Sequence, residues 1–398
     1  SDFAEEFETI NLSSFGIQKI FVAGSKPTNF PTITYTSFYN FPPEEAHCNK
    51  ITSNVLASIF FSSGSTGQPK GIMHSQASLL VMAKNLADCM QLTAADRFLI
   101  NEAMTNASGF SHLIATLSTG GTAIFSQTSL YDLQHFKAIL ITYQPTVLCI
   151  MGKLNYDIIH SSELSARDFQ TVRINATGGD KISKQLLLDF RNKTHVPLQL
   201  GYGMSEIVCI TINTSNRLEK IGSIGTPPPN VKIRLRDANG NIVPNGKPGE
   251  VWVTSPTMLL GYWHAPELTQ ALLIDDWLRT GDLAYRDQDG YYWHVGRIKQ
   301  LIIREGENIS PLEIEEVLAK HPAIKVAAAV GKPEKAVGEL PVAFVILKEG
   351  MQTSEEEIIS FAAKYLEYYK IPVNIHFTDE MPLTKSNKID RMALKRRL

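Results

Sequence analysis

Cysteine is scarce in this 398-residue chain. Cys48, Cys89, Cys149 and Cys209 are too few to frame a disulfide scaffold and too scattered for a CxxC redox pair or a zinc site. Free thiols in a reducing cytoplasm are therefore expected. An excess of either charge is also missing. Lys+Arg 38 against Asp+Glu 40 leaves −2, so nothing global draws the chain toward nucleic acid or an acidic membrane surface. No apolar run approaches the ~20 residues that span a bilayer. The start at Ser1-Asp2-Phe3 has neither an initiator methionine nor a charged-then-apolar leader, and reads as a cut in something longer. Repeats and low-complexity tracts are lacking as well. The rest is ordinary globular material, 43% hydrophobic and 20% charged. At ~100–200 residues per domain it makes two or three domains. With so little net charge, any anionic ligand must be held by a local site.

Residues 1–215 alternate β-rich apolar runs (17–23, 55–61, 122–125, 147–150, 172–176) with stretches of helical spacing (75–91, 131–143, 183–191). That alternation predicts an α/β region around a doubly wound, largely parallel sheet. From about 216 to 296 the texture changes. Turn clusters such as Asp237-Ala238-Asn239-Gly240-Asn241 separate strand-like runs at 231–235 and 250–254, which predicts a small antiparallel barrel or sheet. Residues 300–398 read as a small α+β unit, with strands at 300–304, 325–331 and 340–347. Its helices are announced by Ser310-Pro311-Leu312-Glu313 and Ser354-Glu355-Glu356-Glu357, each offering an N-cap and a glutamate three residues on.

The segment with most chemistry in it is Phe61-Ser62-Ser63-Gly64-Ser65-Thr66-Gly67-Gln68-Pro69-Lys70-Gly71, placed directly after a strand. Glycines let a backbone turn toward a ligand, hydroxyls and amides donate to phosphate oxygens, and Lys70 adds a movable positive charge. Taken alone, such a loop is more often a polar turn. It is not a Walker loop, because no Lys-Ser/Thr follows the second glycine at the required spacing.

This run resembles the phosphate loop of the adenylate-forming (AMP-binding) superfamily, in its acyl- and aryl-CoA synthetase branch. Four more segments match in the family's order: Gly201-Tyr202-Gly203-Met204-Ser205-Glu206, Leu278-Arg279-Thr280-Gly281-Asp282, Gly296-Arg297-Ile298-Lys299, and Pro382-Leu383-Thr384-Lys385-Ser386-Asn387-Lys388. The resemblance implies ATP-dependent activation of a carboxylic acid to an acyl adenylate, then transfer to coenzyme A, with Mg²⁺ required. It implies catalytic roles for Lys388, Glu206 and Lys70. The nucleotide would be bound by residues 62–67 and Lys70, by Gly178, Gly179 and Asp180, by 201–205, and by Asp282, Arg297 and Lys388.

Several roles have physical sense in residue type. A carboxylate at 206 would repel a triphosphate unless a magnesium ion stood between them. Tyr202 offers a flat face for adenine, Asp282 can accept two ribose hydroxyls, and Arg297 presents a fork of donors. Without the resemblance, each would pass for a core tyrosine, a turn aspartate or a surface arginine. The resemblance also places the acyl pocket at Asn106, Gly178, Gly203 and Met204, a hinge at Lys299 within 297–299, and the thiol tunnel at Gly306. The C-terminal unit would then be a mobile lid.

Two departures from the family pattern stand out. Asn387 replaces the glycine usual before the terminal lysine. In the segment Ala103-Met104-Thr105-Asn106-Ala107-Ser108-Gly109 there is neither a gating histidine nor an amine-binding aspartate, and no carboxylate occurs from Ala103 to Thr119. That favours a non-amino acid as substrate. Three alternatives to coenzyme A ligation remain open at this level: transfer to an acyl carrier protein, a peptide-synthetase adenylation domain, and nucleotide binding without turnover. Only about sixty residues precede the phosphate loop, where the family carries a further domain-sized stretch. The N-terminal part of the large domain is thus expected to be absent, leaving activity of this piece in doubt.

Overall fold

The computed structural model describes residues 20–22, 32–34, 52–62, 69–126, 130–150, 152–179, 182–384 and 388–398. Residues 1–52 and 53–398 are two compact units. In the first, Ile20–Val22 pairs in parallel with Thr32–Thr34.

At the centre of the second unit is a six-stranded sheet. Its order is Ile207–Ile212, Leu198–Met204, Ile174–Gly178, Val147–Cys149, Arg97–Ile100, Thr122–Ile124. All neighbours are parallel except the first pair, an antiparallel hairpin. Strand side chains alternate between faces, and both faces are covered, as a parallel sheet demands. Phe98 and Ile100 pack under helices Gln76–Met90 and Ala107–Ser118. Leu99 and Leu148 face Phe136, Leu154 and Phe190 from Leu133–Tyr143, Gly152–His160 and Lys184–Thr194. Each such buried side chain contributes roughly 1.5–3 kcal/mol over its exposed state. The sequence-expected doubly wound sheet is therefore present.

The winding reverses in the middle. After Arg97–Ile100 the chain adds Thr122–Ile124 on one side, then crosses to place Val147–Cys149 on the other. Open α/β sheets bind ligands at the carboxyl ends of strands flanking such a reversal.

Three further sheets complete the unit. Leu56–Ser62, Lys70–Ser75 and Gly261–Tyr262 form an antiparallel trio. The turn-rich stretch folds into a five-stranded antiparallel sheet, with Gly249–Thr254 and Trp277–Arg286 inside and Tyr292–Arg297 added to the latter. The last sheet pairs Ile324–Glu334 with Gly338–Leu347, and Pro311–Leu318 and Glu355–Ala362 contribute to its core. Ser354 and Glu357 form the expected capping box. Ser310 does not cap with its side chain: its hydroxyl donates instead to the Val295 carbonyl at 2.5 Å.

One polar knot ties helix to sheet. The Asp96 carboxylate accepts Arg173 Nε and Nη2 at 2.9 and 2.8 Å, the Thr146 hydroxyl at 2.7 Å and the Thr93 amide at 2.8 Å. Arg173 also donates to the carbonyls of Met90 and Gln91 at the end of Gln76–Met90. Burial alone would raise the Asp96 pKa, but Arg173 and Thr146 outweigh it and hold it at about 2. A carboxyl depressed this way stabilises the fold above its unfolded value and loses that contribution as pH falls through the folded one, a term of about 2 kcal/mol. Asp96→Asn is expected to lose about 2 kcal/mol in denaturant melts at neutral pH. It should also flatten the loss of stability between pH 4 and 2; an unchanged acid slope would show that the knot carries no such load.

Candidate functional site

The site is assembled where the hairpin of the small trio meets the carboxyl end of the large sheet. Ser62 and Lys70 are paired neighbours on Leu56–Ser62 and Lys70–Ser75, so the backbone closes the loop between them. Of the expected loop residues, Ser63, Gly64, Ser65, Thr66 and Gly67 lie outside the described residues, as does Asp180, and of Ser62 only the backbone is described. Lys70 is half-buried, its ammonium 5.5 Å from the Tyr262 ring centroid. On the same strand, His74 is fully buried and donates from Nε2 to the Ser205 carbonyl at 2.9 Å. The tautomer follows from that acceptor. Burial lowers the His74 pKa, against the pull of that bond, so the ring is kept neutral.

Ser205 and Glu206 form the turn of the Leu198–Met204/Ile207–Ile212 hairpin. Glu206 is only 7% exposed. Its Oε1 accepts the Tyr262 hydroxyl at 2.7 Å, and its Oε2 makes no hydrogen bond to a described residue. A buried carboxylate with one oxygen left over calls for a cation or donors from a ligand. Its own backbone carbonyl accepts the Leu259 amide at 2.9 Å, which secures the turn. Burial and the Glu206 charge push the Tyr262 phenol well up, so it remains a donor. Tyr262 therefore touches both Glu206 and Lys70, which are far apart in sequence. Sequence reasoning missed it. The Gly261-Tyr262 dipeptide follows a turn-rich stretch, and only pairing with Met73 and Ile72 brings it to the site.

A second cluster lies along the same hairpin. Tyr202, on Leu198–Met204, donates its hydroxyl to Asp282 Oδ2 at 2.8 Å. Asp282 and Arg297 are paired on adjacent strands, and Arg297 Nε reaches Asp282 Oδ1 at 3.0 Å. His294 stands 3.7 Å from the same oxygen, with its ring centroid 5.9 Å from that of Tyr202. Burial would raise the Asp282 pKa, but His294 and Arg297 hold it below the usual carboxylate range. Tyr202 is driven up by burial and by Asp282. Arg297 remains more than half exposed. The cluster thus offers an aromatic face, an ionised carboxylate and a guanidinium with donors to spare.

Gly201 and Gly178 pair across their strands, and a Cβ on Gly178 would lie 2.6 Å from the Gly201 carbonyl oxygen, so the two backbones meet only because position 178 has no side chain. Gly179 follows with φ +79°. Gly203 is exposed and Met204 half-buried. Asn106 is the extended residue heading helix Ala107–Ser118, which the runs of helical spacing at 75–91, 131–143 and 183–191 do not include. Lys388 is exposed on a loop closed by the Leu383–Ile389 bridge and by the Thr384 amide donating to the Lys388 carbonyl at 2.7 Å. Lys299 sits in the 3-10 turn Ile298–Gln300, which links the antiparallel sheet to Ile302–Arg304. Glu305 and Gly306, φ +53° and +85°, are the two-residue turn of the Ile302–Arg304/Glu307–Ile309 hairpin, and nothing lies within 4 Å of a Cβ built on Gly306.

Residues 17–263 match the family model described as AMP-binding enzyme, and residues 313–388 match the AMP-binding enzyme C-terminal domain. A long-chain-fatty-acid–CoA ligase of Yersinia pestis is 37% identical over 64% of this chain and 46% of its own length. The 4-coumarate–CoA ligase-like 4 protein of Oryza sativa subsp. japonica is 31% identical over 87% of this chain and 64% of its own. The chain thus spans less than two thirds of the length of each of these two relatives. Among solved structures, o-succinylbenzoate CoA synthetase from Bacillus subtilis with its acyl-adenylate intermediate superimposes with a TM-score of 0.82. It is 27% identical, with 99% of this chain and 81% of that one covered.

Proposed function

The chain belongs to the AMP-binding enzyme family, and from that premise we propose that it activates a carboxylic acid with ATP and passes the acyl group to coenzyme A. In the first step a carboxylate oxygen attacks the α-phosphorus and pyrophosphate leaves. In the second, the thiol sulfur attacks the acyl carbon, its proton is lost and AMP departs. Such chemistry asks a protein mainly for positioning and for charge placed where charge develops.

Each cluster has a part in that reading. Tyr202, Asp282 and Arg297 hold adenosine, with the ring of Tyr202 toward the base and the free donors of Arg297 toward the ribose or phosphate. Residues 62–67 and Lys70 cradle the phosphates, and Gly178, Gly179, Asp180 and Gly201 line the base and the acyl group. Asn106, Gly203 and Met204 complete an apolar acyl pocket. Glu206 Oε2 is the oxygen that would hold Mg²⁺; a single carboxylate beside phosphates suits that ion, and when bound it neutralises the leaving phosphates. Lys388 serves the first step, residues 300–398 turn about Lys299 as a lid, and Gly306 keeps the thiol path open. The three described cysteines, Cys89, Cys149 and Cys209, are free, which suits the cytoplasm as the place of action. No helix among the described residues is long and apolar enough to cross a membrane.

The observation that carries the reading is the buried Glu206, one oxygen bonded to Tyr262 and one open, with Lys70 across the same tyrosine ring. Incubation with ATP, Mg²⁺ and a panel of aliphatic and aromatic acids should release pyrophosphate in an acid-dependent way. AMP release should then rise with coenzyme A. Pyrophosphate release that ignores the acid overturns the reading, and thioester formed only on an acyl carrier protein reassigns the acceptor.

A further inference from the structure

Glu206 is not placed by its own hairpin. Met204 pairs with Ile207 and Tyr202 with Thr211, so Val208, Cys209 and Ile210 stand against Gly203 alone. Cys209 takes a left-handed φ of +61° there, and a Cβ on Gly203 would lie 2.8 Å from the Cys209 nitrogen. A bulge of that kind bends its strand and interrupts the ladder that would otherwise fix the tip. The 204–207 turn is therefore held from outside. The Leu259 amide and the Tyr262 hydroxyl take the Glu206 carbonyl and Oε1. The third hold is His74, whose Nε2 donates to the Ser205 carbonyl at 2.9 Å.

His74 stands on the strand that carries Lys70. Side chains alternate along a strand, so Lys70, Ile72 and His74 share one face of Lys70–Ser75, with ~13 Å between the first and the last. That face meets the hairpin, since Ile72 packs with Ile207 and Tyr262. The ring itself is completely buried, its centroid 5.8 Å from that of Phe60 and its Nδ1 3.3 Å from the Ser78 hydroxyl. Burial lowers its pKa against the pull of the Ser205 bond, so His74 brings no charge to a phosphate. A neutral imidazole has one N–H, and here that N–H goes to the carbonyl beside Glu206.

Resting on the ligase reading above, we infer that His74 is a positioning residue for Mg·ATP: its hydrogen bond to the Ser205 carbonyl fixes the turn bearing Glu206 against the strand bearing Lys70. The phosphate cradle and the carboxylate that would hold Mg²⁺ thereby keep one spacing. His74 acts through Ser205 and Glu206 rather than by touching the nucleotide.

Two variants separate the bond from the packing. His74→Gln puts an amide nitrogen near the Nε2 position and can still donate to Ser205. His74→Asn carries the same amide one methylene shorter, near Nδ1, and leaves that carbonyl bare. With the best acid of the panel above, KM for Mg·ATP in pyrophosphate release should rise about tenfold in His74→Asn while KM for the acid stays within about twofold. His74→Gln should recover most of the loss. Without turnover, the thermal stabilisation that Mg²⁺ adds to ATP should fall by roughly half in His74→Asn, at ligand about a hundred times Kd, and the stabilisation by AMP alone should not change. Wild-type protein that ATP and Mg²⁺ do not stabilise overturns the ligase reading and this inference with it. A wild-type response to Mg²⁺ that His74→Asn matches in full overturns this inference alone. So does a loss shared by His74→Asn and His74→Gln, or one that raises both KM values or weakens AMP as well, because each marks a merely structural residue.

Discussion

Lys388→Ala is expected to cut adenylate formation by about 10²- to 10³-fold, the usual cost of removing one charge-stabilising donor. The side chain is exposed and its loop is closed by backbone bonds from Thr384 and by the Leu383–Ile389 bridge, so folding should survive the change. The decisive comparison is between half-reactions. Pyrophosphate release from ATP and acid should collapse. Thioester formation from a supplied acyl adenylate and coenzyme A should fall less than about threefold, since the first step is attack at the α-phosphorus whereas the second is attack at the acyl carbon. An equal fall in both would remove Lys388 from its assigned step.

Glu206→Gln comes next in size, at about 10²-fold in pyrophosphate release. Glutamine keeps the shape and can still accept from Tyr262, so the loss isolates the charge at Oε2. A readout independent of turnover is the extra thermal stabilisation that Mg²⁺ adds to ATP, which should vanish in this variant. Tyr262→Phe should behave as a milder relative. The carboxylate keeps its charge but loses the bond that aims it, so activity should fall about tenfold and recover in part at raised Mg²⁺. Stabilisation by Mg²⁺ that persists in Glu206→Gln would place the ion elsewhere.

Much of this architecture was legible in residue patterns. The runs at 147–150 and 172–176 became strands Val147–Cys149 and Ile174–Gly178, and the spacing at 75–91 became helix Gln76–Met90, because each carries a one-sided or fully buried apolar signal. The Leu198–Met204 strand was only half seen, since Gly201 and Gly203 interrupt the apolar pattern where the sheet needs close backbones. Ser310 was expected to cap its own helix. The Val295 carbonyl, fifteen residues back, competes for its hydroxyl and wins.

The site divides the same way. Tyr202, Asp282 and Arg297 came from motifs, and the structure brings them together. Tyr262 carries no local signal, because its partners lie 56 residues away at Glu206 and on another strand. Glu102 stands one residue before the carboxylate-free stretch 103–119. Only the fold reveals that it is buried against His112 rather than solvated like most glutamates.

The misdirected Ser310 hydroxyl also bears on timing. It fastens the first turn of Pro311–Leu318 to strand Tyr292–Arg297, so the bond crosses from one side of Lys299 to the other. A lid pivoting at Lys299 would have to release this latch on each cycle. One hydrogen bond is worth ~0.5–1.5 kcal/mol net, which biases the dwell time of the lid by about tenfold at most. The latch is strong enough to favour one pose between encounters and weak enough for a bound nucleotide to override it.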